Sequence, residues 1–130
     1  MKKIVFVLSV LVFISCKKES EESFGKAETT TEVSTEVQKP EDLGKEIFHG
    51  KGACFACHKP DVKLVGPSLQ DIAKIYKEKN GDMVHFLKGE GEPIVDPTQY
   101  AVMKPNLELT KTFSEEELKA LEAYVYSNLK

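Results

Sequence analysis

Tryptophan and arginine are both absent from this chain of 130 residues, and cysteine occurs only three times. Lysine supplies every fully cationic side chain, and acidic residues outnumber it, so the formal net charge is −3. The chain also lacks basic blocks interleaved with aromatic residues, which excludes the usual patterns of nucleic-acid binding. A chain of this length is sufficient for one folded domain.

Long apolar runs are missing as well, apart from one near the amino terminus. Lys2 and Lys3 precede an apolar stretch over residues 4–14, which is too short to span a bilayer because a helix needs about 20 residues. This pattern predicts a secretory signal over residues 1–15. The end of the stretch, Phe13-Ile14-Ser15-Cys16, resembles the lipobox of bacterial lipoproteins, although leucine is more usual than Phe13. The resemblance implies lipid attachment to Cys16, and the alternative is an ordinary signal followed by an unpaired cysteine.

Residues 16–40 combine the predicted lipidated cysteine with a segment rich in lysine, glutamate, serine and threonine. Such a composition cannot bury enough apolar surface to offset the entropy of ordering, so it predicts a flexible tether. Its root-mean-square span is on the order of 25–30 Å. These features predict a membrane-anchored lipoprotein that faces the periplasm or the cell exterior. The acidic run Glu19-Ser20-Glu21-Glu22 resembles outer-membrane sorting signals, but the choice between inner and outer membrane stays open.

Residues 41–130 have helical rather than strand periodicity and predict one all-α domain of about four short helices. The predicted helices cover residues 41–49, 68–79 and 82–88, and a last segment that begins at a capping box of Ser114 and Glu117. Residues 89–112 contain two glycines and three prolines and therefore predict mainly loop. A loop of this length is unusual in so small a domain and needs something other than chain to pack on.

One short motif carries the chemistry, Cys54-Phe55-Ala56-Cys57-His58. Cys-x-x-Cys-His is the attachment signature of c-type haem. Thiols at this spacing can reach two vinyl groups on one porphyrin edge, and the adjacent histidine then faces the iron. A zinc site would need more ligands than the remaining chain offers, and a thioredoxin-like dithiol would need a strand-rich domain. The motif therefore predicts one covalently bound haem c with its iron held by His58.

The second axial position of the iron has four candidate ligands, Met83, Met103, His49 and His85. Met103 falls in the predicted long loop, 45 residues after His58, from which a thioether could reach the far face of the haem. Met83 lies on the apolar face of its helix and is predicted to belong to the core. His85 is predicted to lie on the surface, and His49 is too close to the motif to cross to the far face. Met103 is the predicted ligand, and the alternative is that it packs on the haem without bonding.

Taken together, residues 41–130 resemble class I, monohaem c-type cytochromes of the small bacterial kind. The matching positions are Gly44, Phe48, the haem motif, Val65-Gly66-Pro67-Ser68-Leu69, Met103-Lys104-Pro105-Asn106-Leu107, Leu121 and Tyr124. The resemblance implies the cytochrome c fold, with Gly44 and Phe48 packed against Leu121 and Tyr124. It also implies that the Pro67 carbonyl bonds the outer nitrogen of the haem-ligating histidine. Many relatives place a tryptophan near a haem propionate, and here Tyr76, Gln99 or Tyr100 is expected to replace it.

These features predict a single-electron carrier in an extracytoplasmic respiratory or redox chain, not an enzyme. An iron ligated by both His58 and Met103 has no open position for a substrate, and the thioether favours the reduced state. Redox proteins are the expected partners. Lysines near the motif and the Met103 segment predict a basic rim that steers an acidic partner, unless lysine is simply common here; they are Lys51, Lys59, Lys63, Lys104 and Lys111. The alternatives are a haem-based sensor with a displaceable sixth ligand and a small peroxidase with an open iron.

Overall fold

The computed structural model describes residues 38–130. The predicted signal segment, Cys16 and nearly all of the predicted tether lie outside these residues. Within them the chain forms five α-helices: α1 (Pro40–His49), α2 (Leu69–Lys79), α3 (Met83–Leu87), α4 (Tyr100–Thr110) and α5 (Glu115–Tyr126). Two 3₁₀ turns, Cys54–Ala56 and Pro97–Gln99, complete the set, and no strand occurs in this part of the chain. The predicted all-α fold is confirmed, whereas the predicted count of about four helices is one too small.

Capping side chains explain where three of these helices begin; at the start of α3 the Asp82 carboxylate accepts a hydrogen bond from the N–H of His85, at 2.7 Å. At the start of α2 the hydroxyl oxygen of Ser68 accepts a hydrogen bond from the backbone N–H of Asp71, at 3.1 Å. At the start of α5 the predicted capping box is present: the N–H of Glu117 bonds the Ser114 hydroxyl at 3.2 Å, and the Glu117 carboxylate bonds the Ser114 N–H at 3.0 Å. These contacts satisfy N–H groups that helix geometry leaves without partners.

Helix α4 corrects the prediction that residues 89–112 are mainly loop. Pro105 lies inside this helix, where it removes one backbone N–H and so one intrahelical hydrogen bond. Pro105 is exposed, so water can reach the carbonyl that loses its partner. The helix forms nonetheless because Leu107 and Thr110 are only 1% and 3% exposed, and tertiary packing outweighs local propensity. Met103 therefore lies in a helix and not in a loop.

Helices α1 and α5 cross at close contact, as the resemblance implies. A Cβ atom placed on Gly44 would overlap the backbone oxygen of Ala120 and would lie 2.8 Å from the Cβ of Tyr124. The rings of Phe48 and Tyr124 meet edge to face with centroids 5.2 Å apart, and Leu121 is buried beside them. No helix in residues 38–130 combines the length and the apolar character needed to cross a bilayer.

Candidate functional site

An apolar cavity of about 1030 Å³, part of it open to solvent, lies between the helices. Residues from all five helices and from the haem-motif segment form its wall. All eight candidate site residues within the described part of the chain line it: Cys54, Cys57, His58, Pro67, Tyr76, Gln99, Tyr100 and Met103.

The Cys-x-x-Cys-His motif forms a tight turn at the edge of this cavity. Ala53 enters the turn in the left-handed region with φ 48°, and the N–H of His58 donates to the carbonyl of Cys54 at 3.0 Å. This turn brings both cysteines and the histidine to one cavity wall. Cys54 and Cys57 are half-buried with free thiols, and burial raises the pKa of the Cys54 thiol to about 11. Before attachment the Cys54 sulfur therefore remains protonated at neutral pH.

The imidazole of His58 is held by two neighbours in the segment that follows the motif. Its Nδ1 atom lies 2.8 Å from the carbonyl oxygen of Pro67, the hydrogen bond that the resemblance implies. A carbonyl only accepts, so Nδ1 carries the proton and Nε2 keeps its lone pair for a metal. Gly66 packs against the same ring, and a Cβ there would lie 2.8 Å from Nδ1. The ring is thus fixed in both tautomer and orientation.

Of the four candidates for the sixth ligand, only the two methionines line the cavity. Met103 is half-buried on α4. Met83 is 3% exposed and belongs to the main hydrophobic core, which confirms its predicted burial. His49 and His85 are both exposed: His49 stacks on the ring of Phe55, and the Nδ1 atom of His85 lies 3.3 Å from a Glu90 carboxylate oxygen.

Few polar side chains reach the cavity wall, and three of them are the predicted partners of the propionates. Gln99 is exposed and Tyr100 is half-buried, both where α4 begins. Tyr76 is 3% exposed, and burial, the main cause, raises the pKa of its hydroxyl. This hydroxyl therefore stays neutral at physiological pH and can act as a hydrogen-bond donor.

Several wall residues were not predicted to belong to the site. Phe86 and Leu87 of α3, and Ile94, Val95 and Asn106 farther along the chain, all line the cavity. Most of them fall within residues 89–112, where glycine and proline obscured the pattern. The apolar pair Ile94-Val95, which lies between two prolines, could have predicted this part of the cavity wall, because an apolar pair in a loop needs a partner to cover it.

The residues present fit a covalently bound haem. Two free thiols separated by two residues, a tautomer-fixed imidazole and a thioether surround a largely apolar space. Histidine and methionine are protein ligands of haem iron, and cysteines attach the c-type group. Cys54, Cys57, His58 and Met103 are the residues that would hold it.

Comparison with known proteins gives relatives of one kind. The family model described as "Cytochrome c" matches residues 41–128. Cytochrome c-551 of Pseudomonas denitrificans is 39% identical over 61 residues, which are 42% of this chain and 73% of that protein. Cytochrome c-552 of Nitrosomonas europaea is 40% identical over 58 residues, 45% of this chain and 50% of that protein. Cytochrome c2 of Rubrivivax gelatinosus is 52% identical over 31 residues, 24% of this chain and 36% of that protein.

The family match spans the described helices, the cavity and the Cys-x-x-Cys-His motif. It agrees with the cofactor predicted from the motif, covalently attached haem c with its iron, in place of the zinc and dithiol alternatives. The chain therefore belongs to the cytochrome c family, whose members use haem for electron transfer.

Proposed function

We propose that this protein is a monohaem single-electron carrier whose iron is ligated by His58 and Met103 and whose haem is attached through Cys54 and Cys57. One observation carries the proposal. A histidine whose Nδ1 atom is engaged at 2.8 Å by the Pro67 carbonyl and a methionine thioether line the same apolar cavity. If His58 and Met103 both hold the iron, no position would be left for a substrate, which favours a carrier over an enzyme.

The protein's part in this function is to hold and insulate the cofactor. When bound, the haem supplies one-electron exchange between Fe(III) and Fe(II). As a ligand, the Met103 thioether would favour the reduced state and raise the reduction potential. The Pro67 carbonyl keeps the proton of His58 on Nδ1 and increases the donor strength of Nε2. The apolar wall excludes water, which keeps the surroundings of the iron similar in both redox states.

The rim of the cavity supports an electron-exchange face. Val65, in the segment after the motif, and Val102, next to Met103, both line the cavity and yet are 48% and 52% exposed. Phe55 and Leu64 are exposed large apolar residues of the neighbouring segments. Apolar side chains at an open rim can be covered when a redox protein docks, so the haem edge is expected to face a partner here.

The polar residues of the cavity are assigned to the haem propionates. Gln99 and Tyr100 lie where α4 begins and retain contact with solvent, which suits charged carboxylates because burial without partners is costly. Tyr76 lies deeper and offers a neutral hydroxyl donor. In this assignment the three residues share the task that a tryptophan performs in many relatives.

We also propose that Cys16 anchors the protein to a membrane outside the cytoplasm. The support is the sequence pattern of residues 1–16, because these residues lie outside those the structure describes. In cells that produce the full chain, the wild type is expected in the membrane fraction and Cys16→Ser in the soluble extracytoplasmic fraction. Equal membrane association of both would contradict the lipid anchor.

The axial ligands are tested by absorption spectroscopy of the oxidised, haem-loaded protein. Met–Fe(III) ligation gives a weak band at roughly 695 nm. Met103→Leu removes the thioether at little cost in side-chain volume, so this band should disappear and the reduction potential should fall. Met83→Leu is the matched control, since Met83 lines the same cavity, and its band should remain.

Two other outcomes would contradict the proposed ligand or the proposed function. Loss of the band in Met83→Leu, but not in Met103→Leu, would transfer the ligand role to Met83. A high-spin, five-coordinate spectrum in the wild type would overturn the carrier function and would favour the haem-based sensor.

A further inference from the structure

One buried hydroxyl of this domain joins two helices that both form the haem cavity. Thr110, at the end of α4, is 3% exposed. Its Oγ1 atom lies 2.5 Å from the carbonyl oxygen of Leu87 in α3 and 3.2 Å from that of Leu107 in its own helix. A hydroxyl has a single proton, so the shorter contact, which crosses between the helices, is the stronger hydrogen bond.

The acceptor of this bond is the last carbonyl of a very short helix. Helix α3 has five residues, too few to be stable without tertiary contacts. Its other late carbonyls are bonded locally: that of Val84 by Lys88 at 3.0 Å and that of Phe86 by Gly89 at 2.8 Å. The carbonyl of Leu87 instead receives its proton from Thr110, 23 residues away in sequence. The end of α3 is thus tied to α4.

Both tied helices contribute to the cavity wall. Met83, Phe86 and Leu87 come from α3, and Val102, Met103 and Asn106 come from α4. Met103 lies seven residues before Thr110, two turns away on the same face of α4. Pro105 lies between them and removes one hydrogen bond of the helix. The position of the thioether therefore depends strongly on how α4 is anchored to its neighbours.

We propose that Thr110 is a positioning residue for the sixth ligand: its hydroxyl bonds α4 to the end of α3 and so holds the Met103 sulfur in place to ligate the iron. The inference rests on the proposed function, because it takes Met103 as the ligand. Without the hydroxyl, the Leu87 carbonyl is left in a half-buried region without its donor, and the two helices can separate or rotate.

The test uses the full, haem-loaded, oxidised protein and added imidazole, which competes with methionine for ferric iron. Imidazole binding is followed by loss of the band at roughly 695 nm. Thr110→Val replaces the hydroxyl by a methyl group, and imidazole affinity should rise about tenfold, the size expected for one buried hydrogen bond. Thr110→Ser keeps the hydroxyl and should stay within about twofold of the wild type.

A second pair of variants isolates the hydroxyl in case Thr110→Val packs badly. Thr110→Ala and Thr110→Ser both lack the methyl group and differ only in the hydroxyl, so the alanine variant should bind imidazole several-fold more tightly. Thr112→Val is the local control, because Thr112 makes only a bond within its own turn, to Leu109 at 2.7 Å. Its imidazole affinity should equal that of the wild type.

A core variant separates ligand positioning from general stability. Leu118 is 1% exposed and does not line the cavity, so Leu118→Val should lower the unfolding temperature without changing imidazole affinity. Equal affinity in Thr110→Val, Thr110→Ala and the wild type would overturn the positioning role. A wild type that lacks the methionine band altogether would instead refute the proposed ligation by Met103.

Discussion

Gly66 lies directly against the imidazole of His58, and its missing side chain permits this contact. A Cβ atom there would overlap the Cε1 atom of His58 and lie 2.8 Å from Nδ1. Its φ is outside the left-handed region, so the need for glycine is steric. The same Nδ1 atom bonds the carbonyl of Pro67 at 2.8 Å. Any shift of the ring away from a new side chain would therefore strain that hydrogen bond.

We expect Gly66→Ala to destabilise the haem-loaded protein by about 1–3 kcal/mol, the usual cost of overpacking a tight site. Denaturant unfolding measures the change. Leu64→Ala is a suitable control, since Leu64 is 50% exposed in the same segment, and it should alter stability by no more than about 0.5 kcal/mol. Similar stability of Gly66→Ala and Leu64→Ala would show that the ring tolerates a methyl group.

At this scale, local spacing alone predicts only the part of the candidate site that is close together in sequence; the more distant cavity residues were expected from the reach of a thioether, for Met103, and from the family resemblance. The spacing of Cys54, Cys57 and His58 fixes their chemistry locally. The need for glycine at position 66 arises instead because the N–H of Gly66 bonds the carbonyl of Cys57 at 2.9 Å, which folds the following segment back over the ring. The composition of that segment does not predict that it folds back over the His58 ring.

At the scale of elements, α1 and α5 are held together by a helix crossing that excludes side chains at one point. Gly44 is buried there, and Ala120 and Tyr124 of α5 occupy the space that a Cβ atom would need. Two effects oppose each other on substitution. Alanine in a helix is favoured over glycine by about 0.8–1.0 kcal/mol, whereas the new methyl group would overlap the backbone of α5, which cannot yield without separating the helices.

The overlap should prevail, so Gly44→Ala is expected to destabilise the haem-loaded domain by about 1–3 kcal/mol net. For a domain of this size the melting temperature should fall by several degrees, about 4–8 °C per kcal/mol. Lys45→Ala, at the adjacent exposed position, tests helix propensity alone and should leave the melting temperature nearly unchanged. A higher melting temperature for Gly44→Ala would mean that α1 and α5 can separate at little cost.

Four of the five helices were predictable from their apolar spacing, and α5 also from its capping box. The fifth, α4, was missed because Pro105 and the prolines before it are loop signals. Yet Met103, Leu107 and Thr110 have helical spacing and are the side chains that face inward. The proline costs one hydrogen bond on an exposed face, and the buried face outweighs it. Burial decides between the loop signal of the prolines and the helical spacing of the apolar residues, and it depends on helices that are far away in sequence.

For the whole molecule, three of the five lysines of the predicted basic rim are paired with carboxylates. Lys51 bonds Glu117 at 2.5 Å, Lys63 bonds Asp96 at 3.3 Å, and Lys111 bonds Glu108 at 2.8 Å. The first two pairs join residues 66 and 33 positions apart, so no local pattern could predict them. These carboxylates also have lowered pKa values, chiefly through hydrogen bonds; for Glu117 and Glu108 the donors are Lys51 and Lys111.

A rim in which three of five lysines are paired predicts weak electrostatic steering of an acidic partner. Oxidation of the reduced protein by ferricyanide, a small anion, measures the local charge through its salt dependence. In the wild type the rate constant should not fall as salt rises from about 10 to about 500 mM, because screening has little attraction to remove. Asp96→Asn frees Lys63 beside the cavity that Asp96 lines. This variant should react about threefold faster at low salt.

Glu78→Gln provides the matched control for this change in charge. It also adds one positive unit to the net charge, by freeing Lys74, but both residues of that exposed pair lie on α2 and neither lines the cavity. Because attraction between charges decays with distance and screening, Glu78→Gln should accelerate ferricyanide less than Asp96→Asn does. Equal acceleration by both variants would mean that net charge alone sets the rate. A wild-type rate that falls several-fold with salt would restore the uncompensated basic rim predicted from the lysines of the sequence.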